Sequence, residues 1–555
     1  MLSCTVQRIT IYYTTNVILH LNYLHKMKKL TTLLSLVLLF TSTVWSQQRY
    51  IDEVFDNISE TQNVRFSTQV PQPKRGGGWY ESIAAGVPIN AKEHETSNRD
   101  LHMDIFQPFG DNNVKRPVFI VCFGGGFVIG NRKFGDIREL AIRMAKRGYV
   151  TAAIDYRLGV NMFDEGASLR GVYRAIQDGR SAVRYFRANA ERLGVDPNQI
   201  FIGGHSAGAF ISLQNAYLDR DVERPASTRK SSYRWGAWLV ERTYNLPDQG
   251  CLDCAGDNKH VNGKANAVVS LAGGLGFLEH VEGENDVPSI MFHSKNDIIV
   301  NYDKGQPFQN FSFLIAGFDL PEAFGSNLVQ NRANSVNAPN KFYSYDKRGH
   351  DLHVDGLLNS ALGRKKLHSD IVPRIAQYLY DARLRPAGFG VSGATVVRLS
   401  ATNTQTYTAD VAKDAQVQWQ VEGGKIVKQT GNQVTISWNI PGEHTLSAVP
   451  YNTNGAKGNA VKVPVLVMDN LQELKADLQM YPNPSARVLK IKLNEEDINE
   501  VKAIVYNERG QTVYHGSLQK QGAQFNLNVL KLPLGKYYIR IQNGERMLHK
   551  TFLKY

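Results

Sequence analysis

Cysteine is scarce in this chain, with four in 555 residues. A disulfide framework is therefore excluded as the organising force, and a chain this long must be held by buried apolar cores. A P-loop, a dinucleotide fingerprint, an internal repeat and a low-complexity tract are all missing, which removes the usual signatures of nucleotide-binding and solenoid proteins. Acidic residues are absent from the first 46 positions, where Arg8, Lys26, Lys28 and Lys29 carry the charge. Within that stretch Met27-Lys28-Lys29 opens a basic segment, Leu30 to Phe40 is a short apolar run, and Val44-Trp45-Ser46 supplies small residues beside a cleavage point. This is the pattern of a secretory leader over 27–46, too short for a membrane span, and it predicts Gln47 as the mature N-terminus. Residues 1–26 show no organisation, and Met27 is the expected true start.

The formal charge is +13, but Lys and Arg are interspersed with Asp and Glu and no nucleic-acid motif accompanies them. No nucleic-acid partner is expected; the surplus is compatible with an anionic surface or an acidic polysaccharide. Gly76-Gly77-Gly78 is a lone cluster and reads as a loop. Export changes the reading of the cysteines. Cys4 lies upstream of the leader, and Cys122 sits in an apolar run as a free core thiol. Cys251-Leu-Asp-Cys254 lacks the βαβ setting of a redox pair and the second pair a zinc site would want. A small loop disulfide suits an oxidising compartment better.

The most informative segment is Gly204-His205-Ser206-Ala207-Gly208. It follows a short strand-like run, Gln199-Ile-Phe-Ile-Gly-Gly, and precedes a helix-like run from Ala209 to Leu218. G-x-S-x-G between strand and helix is a turn so tight that only small residues fit beside the serine, whose hydroxyl is then displayed at the strand end. Ser206 is the expected nucleophile. A serine needs a base, an acid to orient that base, and donors for the oxyanion. Upstream, Pro117-Val-Phe-Ile-Val-Cys-Phe ends in Gly124-Gly125-Gly126-Phe127, whose backbone N–H groups can face a substrate oxygen. Downstream, the strand Pro288-Ser-Ile-Met-Phe-His leads to Ser294-Lys-Asn-Asp297, and Asp297 is the expected acid, with Asp286 and Asp303 as rivals. After the strand Lys341-Phe-Tyr-Ser-Tyr comes Gly349-His350; the glycine frees the backbone to aim the ring, which favours His350 over His353 as base.

These segments resemble the α/β-hydrolases, in particular the carboxylesterase and hormone-sensitive-lipase-like families, from about Asn90 to Arg383. Asp155-Tyr-Arg-Leu158 after the strand Tyr149–Ile154, and Gln177-Asp178-Gly-Arg-Ser-Ala182 leading to Gly194-Val-Asp-Pro197, are similar to the stretches flanking the serine turn there. The chain order Ser206, Asp297, His350 is the order of that fold. By resemblance Gly125, Gly126 and Ala207 form the oxyanion hole; Phe123 stands where the family has histidine. Asp155 and Asp178 are expected to pair with arginines. Ala182, Val183, Phe186 and Ala190 are spaced to lay one helix face on the sheet.

Between Glu223 and Gly263 an insertion rich in Arg and aromatics interrupts the pattern, with Trp235, Trp238 and Tyr244 as candidate substrate contacts that ordinary packing explains about as well. A second insertion, Gly305 to Asn340, is another candidate wall. Ser369 to Arg383 reads as an amphipathic closing helix, and Pro386-Ala-Gly-Phe-Gly as a linker. From there the pattern turns β, with Val417-Gln-Trp419 and Val434-Thr-Ile-Ser-Trp438 alternating, similar to the PKD-like and immunoglobulin-like modules of bacterial surface proteins. Spacing, carbohydrate binding and packing on the catalytic domain are the roles open to it, with spacing the default expectation. Tyr481-Pro482-Asn483-Pro484 and Leu534-Gly535-Lys-Tyr-Tyr resemble the C-terminal sorting domain of the type IX secretion route.

The expected architecture is thus a catalytic α/β-hydrolase domain over 47–385, a mostly parallel sheet flanked by helices, followed by all-β sandwich domains over 390–470 and 476–555. The resemblance implies a secreted or cell-surface serine carboxylesterase that needs no metal or organic cofactor. Its partners would be an ester substrate, small or polymeric, and the type IX secretion machinery, with no transmembrane span in the mature chain. A serine peptidase of the same fold and a binding or adhesion protein on an inactive scaffold are the alternatives. Fewer than about 100 residues before the core strands leave no room for the propeller such peptidases usually carry.

Overall fold

Short β-branched and apolar runs buried from end to end form the centre of the molecule, the pattern of strands covered on both faces. A computed structural model describes residues 47–74, 89–235, 241–311, 318–354, 367–398, 404–413, 415–440, 442–468, 478–494, 498–507, 512–543 and 546–555. The expected leader, the Gly76–Gly78 cluster and Trp238 lie outside these. Eight strands form the main sheet: β1 (Ile58–Lys74), β2 (Lys92–Pro108), β3 (Arg116–Cys122), β4 (Val150–Ile154), β5 (Val195–His205), β6 (Ala267–Leu271), β7 (Ser289–Ser294) and β8 (Asn340–Tyr345). Their order is β1-β2-β4-β3-β5-β6-β7-β8. β1, β2 and β4 pair antiparallel, and every pairing from β4 to β8 is parallel.

Helices α1 (Gly135–Ala145), α2 (Glu165–Ala188), α3 (Ala207–Tyr217), α4 (Ser326–Ser335) and α5 (Ile371–Leu379) join and flank these strands. This is the α/β-hydrolase fold, and it begins at Ile58, well before the stretch whose residues carry the family resemblance. β1 is an edge strand, largely polar and bulged against β2, so its sequence shows no sustained alternation.

α2 lays Ala182, Val183 and Phe186 on the sheet, while Ala190 falls beyond its end and is only half-buried. Its outer side is covered as well. Arg170 and Arg174 bind Glu93, Arg157 binds Asp178, and Arg180 and Arg184 hold Asp253 of the first insertion. Buried guanidinium groups persist here because each has a carboxylate partner. The same insertion carries the Cys251–Cys254 disulfide, and Cys122 is a buried free thiol. The closing helix α5 starts at Ile371 and unwinds into a wide turn over Tyr380–Leu384, with Ile371, Val372, Ile375, Ala376 and Leu379 facing the core.

Beyond it, two four-stranded sheets enclose a core that includes Tyr407, Trp419 and Trp438, a β-sandwich. A seven-stranded sheet from Leu478 to Lys554 follows, around a core that includes Leu489, Ile491, Phe525 and Phe552. Among the described residues no helix is long and apolar enough to cross a membrane.

The sandwich packs on the hydrolase domain. Its turn between Tyr451 and Val461 reaches the hydrolase: Ala456 is fully buried in the hydrolase core, and the Asn454 carbonyl accepts from the Tyr50 hydroxyl and the Asn113 amide. The Tyr380 hydroxyl donates to the Lys457 carbonyl, and Asn452 donates to the Leu384 carbonyl at 3.0 Å. Ala456→Glu, which places an unpaired carboxylate in that contact, is expected to destabilise the protein by about 3 kcal/mol. Thermal unfolding of the variant, followed by circular dichroism, measures it.

Candidate active site

The serine turn is built by close approach. A Cβ on Gly204 would stand 2.5 Å from the Cys122 carbonyl oxygen, and one on Gly208 would stand 2.3 Å from the same atom. With both positions glycine, β5 runs hard against the end of β3 and turns directly into α3. Ser206 takes φ 54° and ψ −118°, a strained conformation for a residue with a side chain. Its N–H is held by the Leu271 carbonyl at 2.9 Å. Gly208→Ala is expected to lower stability by about 3 kcal/mol or more, since the clash is with backbone that cannot yield; a chemical denaturation curve tests this.

Three parallel strands deliver the remaining groups. Beyond β7, Asp297 folds back so that its Oδ1 accepts the N–H groups of Ile299 and Val300, at 2.8 and 3.0 Å. Beyond β8, the Arg348 N–H donates to Ser294 and that of Gly349 to Asn296, fixing the loop that presents His350. The result is a continuous chain: His350 Nε2 lies 2.8 Å from Ser206 Oγ, and His350 Nδ1 lies 2.8 Å from Asp297 Oδ2. The rivals are elsewhere. Asp286 caps its own turn through the N–H groups of Glu282 and Gly283, Asp303 accepts from Asn327, and His353 pairs with Asp136 at 2.9 Å.

Electrostatics keep Asp297 charged. Burial pushes its carboxyl up, but hydrogen bonds from His293 and His350 outweigh burial and hold it well below the usual carboxylate range. His293, whose Nε2 is 3.2 Å from Asp297 Oδ2, is itself set by Ser326 at the start of α4 and by the Val300 carbonyl. The sequence placed His293 in register with the family segment without assigning it this part. Burial, with His353 and His350 alongside, pushes the His205 imidazole well below its ordinary pKa.

The glycine loop after β3 is a turn in which the Gly125 carbonyl accepts the N–H groups of Val128 and Ile129, both at 3.1 Å. Gly125 and Gly126 both have positive φ, at 118° and 60°. Asp155 binds both the backbone and the side chain of Arg132 just past this turn, and Asp104 holds the same guanidinium. Phe123, in place of the family's histidine, stacks on Tyr156 at 4.1 Å, and the Tyr156 hydroxyl donates to the Phe123 carbonyl. Aromatic packing thus supports the loop where a polar side chain would otherwise stand.

Gly126, Ser206 and Ala207 open onto a cavity of about 580 Å³. Its walls are mostly apolar, including Phe127, Val160, Met162, Leu169, Phe210 and Phe277, with Glu165, Glu279 and the Lys304–Glu322 ion pair among the charged groups. The second insertion supplies much of one side through Pro307, Phe308, Leu320 and Phe324. Among the described residues, the aromatics of the first insertion do not line it. Trp235 and Tyr244 pack with Tyr233 around His94 of β2, whose ring stacks on Tyr244 at 3.6 Å, so they serve the packing of a hairpin against β2 rather than the cavity.

Residues 103–311 match the BD-FAE family, and residues 479–554 match the secretion system C-terminal sorting domain. Among curated proteins the chain is 39% identical over 97 residues to gut esterase 1 of Caenorhabditis elegans, covering 17% of each chain. It is 23% identical over 228 residues to isoprenylcysteine alpha-carbonyl methylesterase ICME of Arabidopsis thaliana, covering 37% of this chain and 48% of that one. Each alignment spans less than half of the relative's own length. Among solved structures, Thermogutta terrifontis esterase 2 phosphorylated by paraoxon is 19% identical, covering 52% of this chain and 92% of that one, with a TM-score of 0.35. The chain carries an α/β-hydrolase domain of the BD-FAE type and, at its other end, a secretion system C-terminal sorting domain.

Proposed function

We propose that the protein is a secreted serine carboxylesterase acting on an extracellular polymer or its fragments: an acylated polysaccharide, a polyester or a lipid. The observation that carries this is the Ser206–His350–Asp297 chain, with 2.8 Å at each link, opening onto a largely apolar cavity. Ser206 Oγ attacks the ester carbonyl carbon while His350 Nε2 takes the hydroxyl proton, and Asp297 keeps the ring oriented and stabilises the imidazolium. The carbonyl oxygen, now an oxyanion, is held by backbone N–H groups of Gly125, Gly126 and Ala207. Of these, Gly126 and Ala207 line the cavity directly, and Ala207 is the first residue of α3, where an N–H has no partner within the helix.

Collapse of the intermediate breaks the C–O bond, and His350 returns the proton to the leaving alkoxide. Water, deprotonated by His350, then attacks the acyl-serine; its hydroxyl ends on the acid and its proton returns to Ser206. An apolar cavity of this size favours the acyl or aryl part of a substrate, and the sorting domain favours an extracellular one. The test is hydrolysis of p-nitrophenyl acetate, butyrate and octanoate by the chain from Gln47. Turnover of the butyrate and octanoate esters is expected. A folded protein inert on all three would overturn the reading in favour of a peptidase or a binding protein.

A further inference from the structure

Behind the serine turn, on the side away from the cavity, three ligating side chains meet that the ester chemistry does not use. Asp136 comes from the first turn of α1, His205 immediately precedes Ser206, and His353 lies three residues past His350. All three are buried, at 1%, 3% and 0% exposure. The two imidazoles are 4.3 Å apart between ring centres, and one donor atom from each of the three residues lies within 4.8 Å of the others.

Their hydrogen bonding is half complete in a particular way. His205 Nε2 faces the His350 carbonyl at 3.1 Å, and His353 Nε2 faces Asp136 Oδ2 at 2.9 Å. The His350 carbonyl, with Asp351 Oδ1 3.4 Å from the same nitrogen, requires the proton of His205 on Nε2 and leaves a lone pair on its Nδ1. That Nδ1 and Asp136 Oδ1 have no hydrogen-bond partner. Buried acceptors without a donor are an unfavourable arrangement for the folded chain by itself. An imidazole whose outer N–H is fixed by a backbone carbonyl and a carboxylate, with its other nitrogen bare, is the arrangement of a metal-binding histidine, and an ion beside it would take the place of the proton between His353 Nε2 and Asp136.

We propose that Asp136, His205 and His353 bind one divalent transition-metal ion of the zinc class, in a structural site behind the nucleophile. Two imidazole nitrogens and one carboxylate suit zinc rather than calcium or magnesium, which take oxygen donors in larger number. Donors on one zinc ion lie up to about 4 Å apart, so side-chain shifts of under about 1 Å close the set, and water can complete a fourth position. Glycine at position 124 keeps the near side open, because a Cβ there would stand 2.8 Å from His205 Nδ1. The ion touches no substrate. It ties the start of α1 to the two loops that carry Ser206 and His350, and so acts on the reaction only by positioning.

The chain from Gln47 is stripped with dipicolinic acid and dialysed against zinc, then assayed for metal by mass spectrometry and for melting temperature. The expected result is one zinc retained per chain and a melting temperature raised by several degrees, as tight binding to the folded state alone requires. Cobalt in place of zinc should give the visible absorption of a four-coordinate site. Asp136→Asn and His353→Gln should each weaken uptake by about 100-fold or more, whereas His350→Gln should leave it intact. The wild-type stoichiometry and cobalt spectrum stand even where a variant fails to fold. Folded wild-type protein with neither uptake nor thermal shift would overturn the proposal and leave the cluster to a buried water. Uptake unchanged in both ligand variants, or lost in His350→Gln, would overturn it by placing the ion elsewhere.

Discussion

Ser206→Ala is expected to lower kcat/KM for p-nitrophenyl butyrate by about 10⁵- to 10⁶-fold, with the melting temperature nearly unchanged. The size follows from removal of the group that forms the acyl bond, since oxyanion donors and binding alone leave only about 10³- to 10⁴-fold over water. Stability should hold because the substitution removes one oxygen and keeps a Cβ already accommodated at φ 54°. The discriminating readout is the pre-steady-state burst of p-nitrophenol, one equivalent in the native protein where deacylation is slower than acylation. A variant retaining more than about a tenth of the activity would remove Ser206 from the chemistry and sink the esterase mechanism as drawn.

Asp297→Asn carries the second large effect, a fall in kcat of about 10⁴-fold with KM little changed. The amide keeps an oxygen for the N–H groups of Ile299 and Val300, so the turn survives. What it cannot do is accept from His350 Nδ1 through an NH₂ group; the ring is then held in the tautomer that leaves no lone pair facing Ser206. The pH dependence separates this from a packing defect. Asp297 has a folded-state pKa depressed below its unfolded value. Its contribution to stability is therefore fully present above the unfolded value, about 3.9, and is lost as pH falls through that point towards the folded one. The melting temperatures of the two proteins should differ by a constant amount from pH 5 to 8 and converge below about pH 4. A difference that persists unchanged into acid would show that the carboxylate charge contributes nothing.

Much of this site was legible because the fold places its groups at sequence landmarks. A strand ends and a polar side chain is displayed: Ser206 directly past β5, Asp297 in the loop after β7, Gly349-His350 in the loop after β8. Other readings stayed open between alternatives that only geometry separates. Trp235 and Tyr244 belong to the expected substrate wall by composition, yet His94, nearly 140 residues earlier than Tyr233, lies beneath them through a pairing no local pattern announces. The linker at Pro386–Gly390 left spacing and packing on the hydrolase both open, because a local run of Pro and Gly says nothing of Ala456 returning to the hydrolase core.

The sequence by itself determined the class of fold, the order of nucleophile, acid and base candidates, and the export signature of the tail. It could do so because strand burial and tight turns restrict residue type position by position. Only the tertiary structure says which of His350 and His353 faces Ser206, since they are separated by Asp351 and Leu352 and carry the same chemistry. The loop after β8 turns one ring to Ser206 and the other to Asp136, and that direction is set by β7, α1 and the serine turn packing against it, none of them local to either histidine.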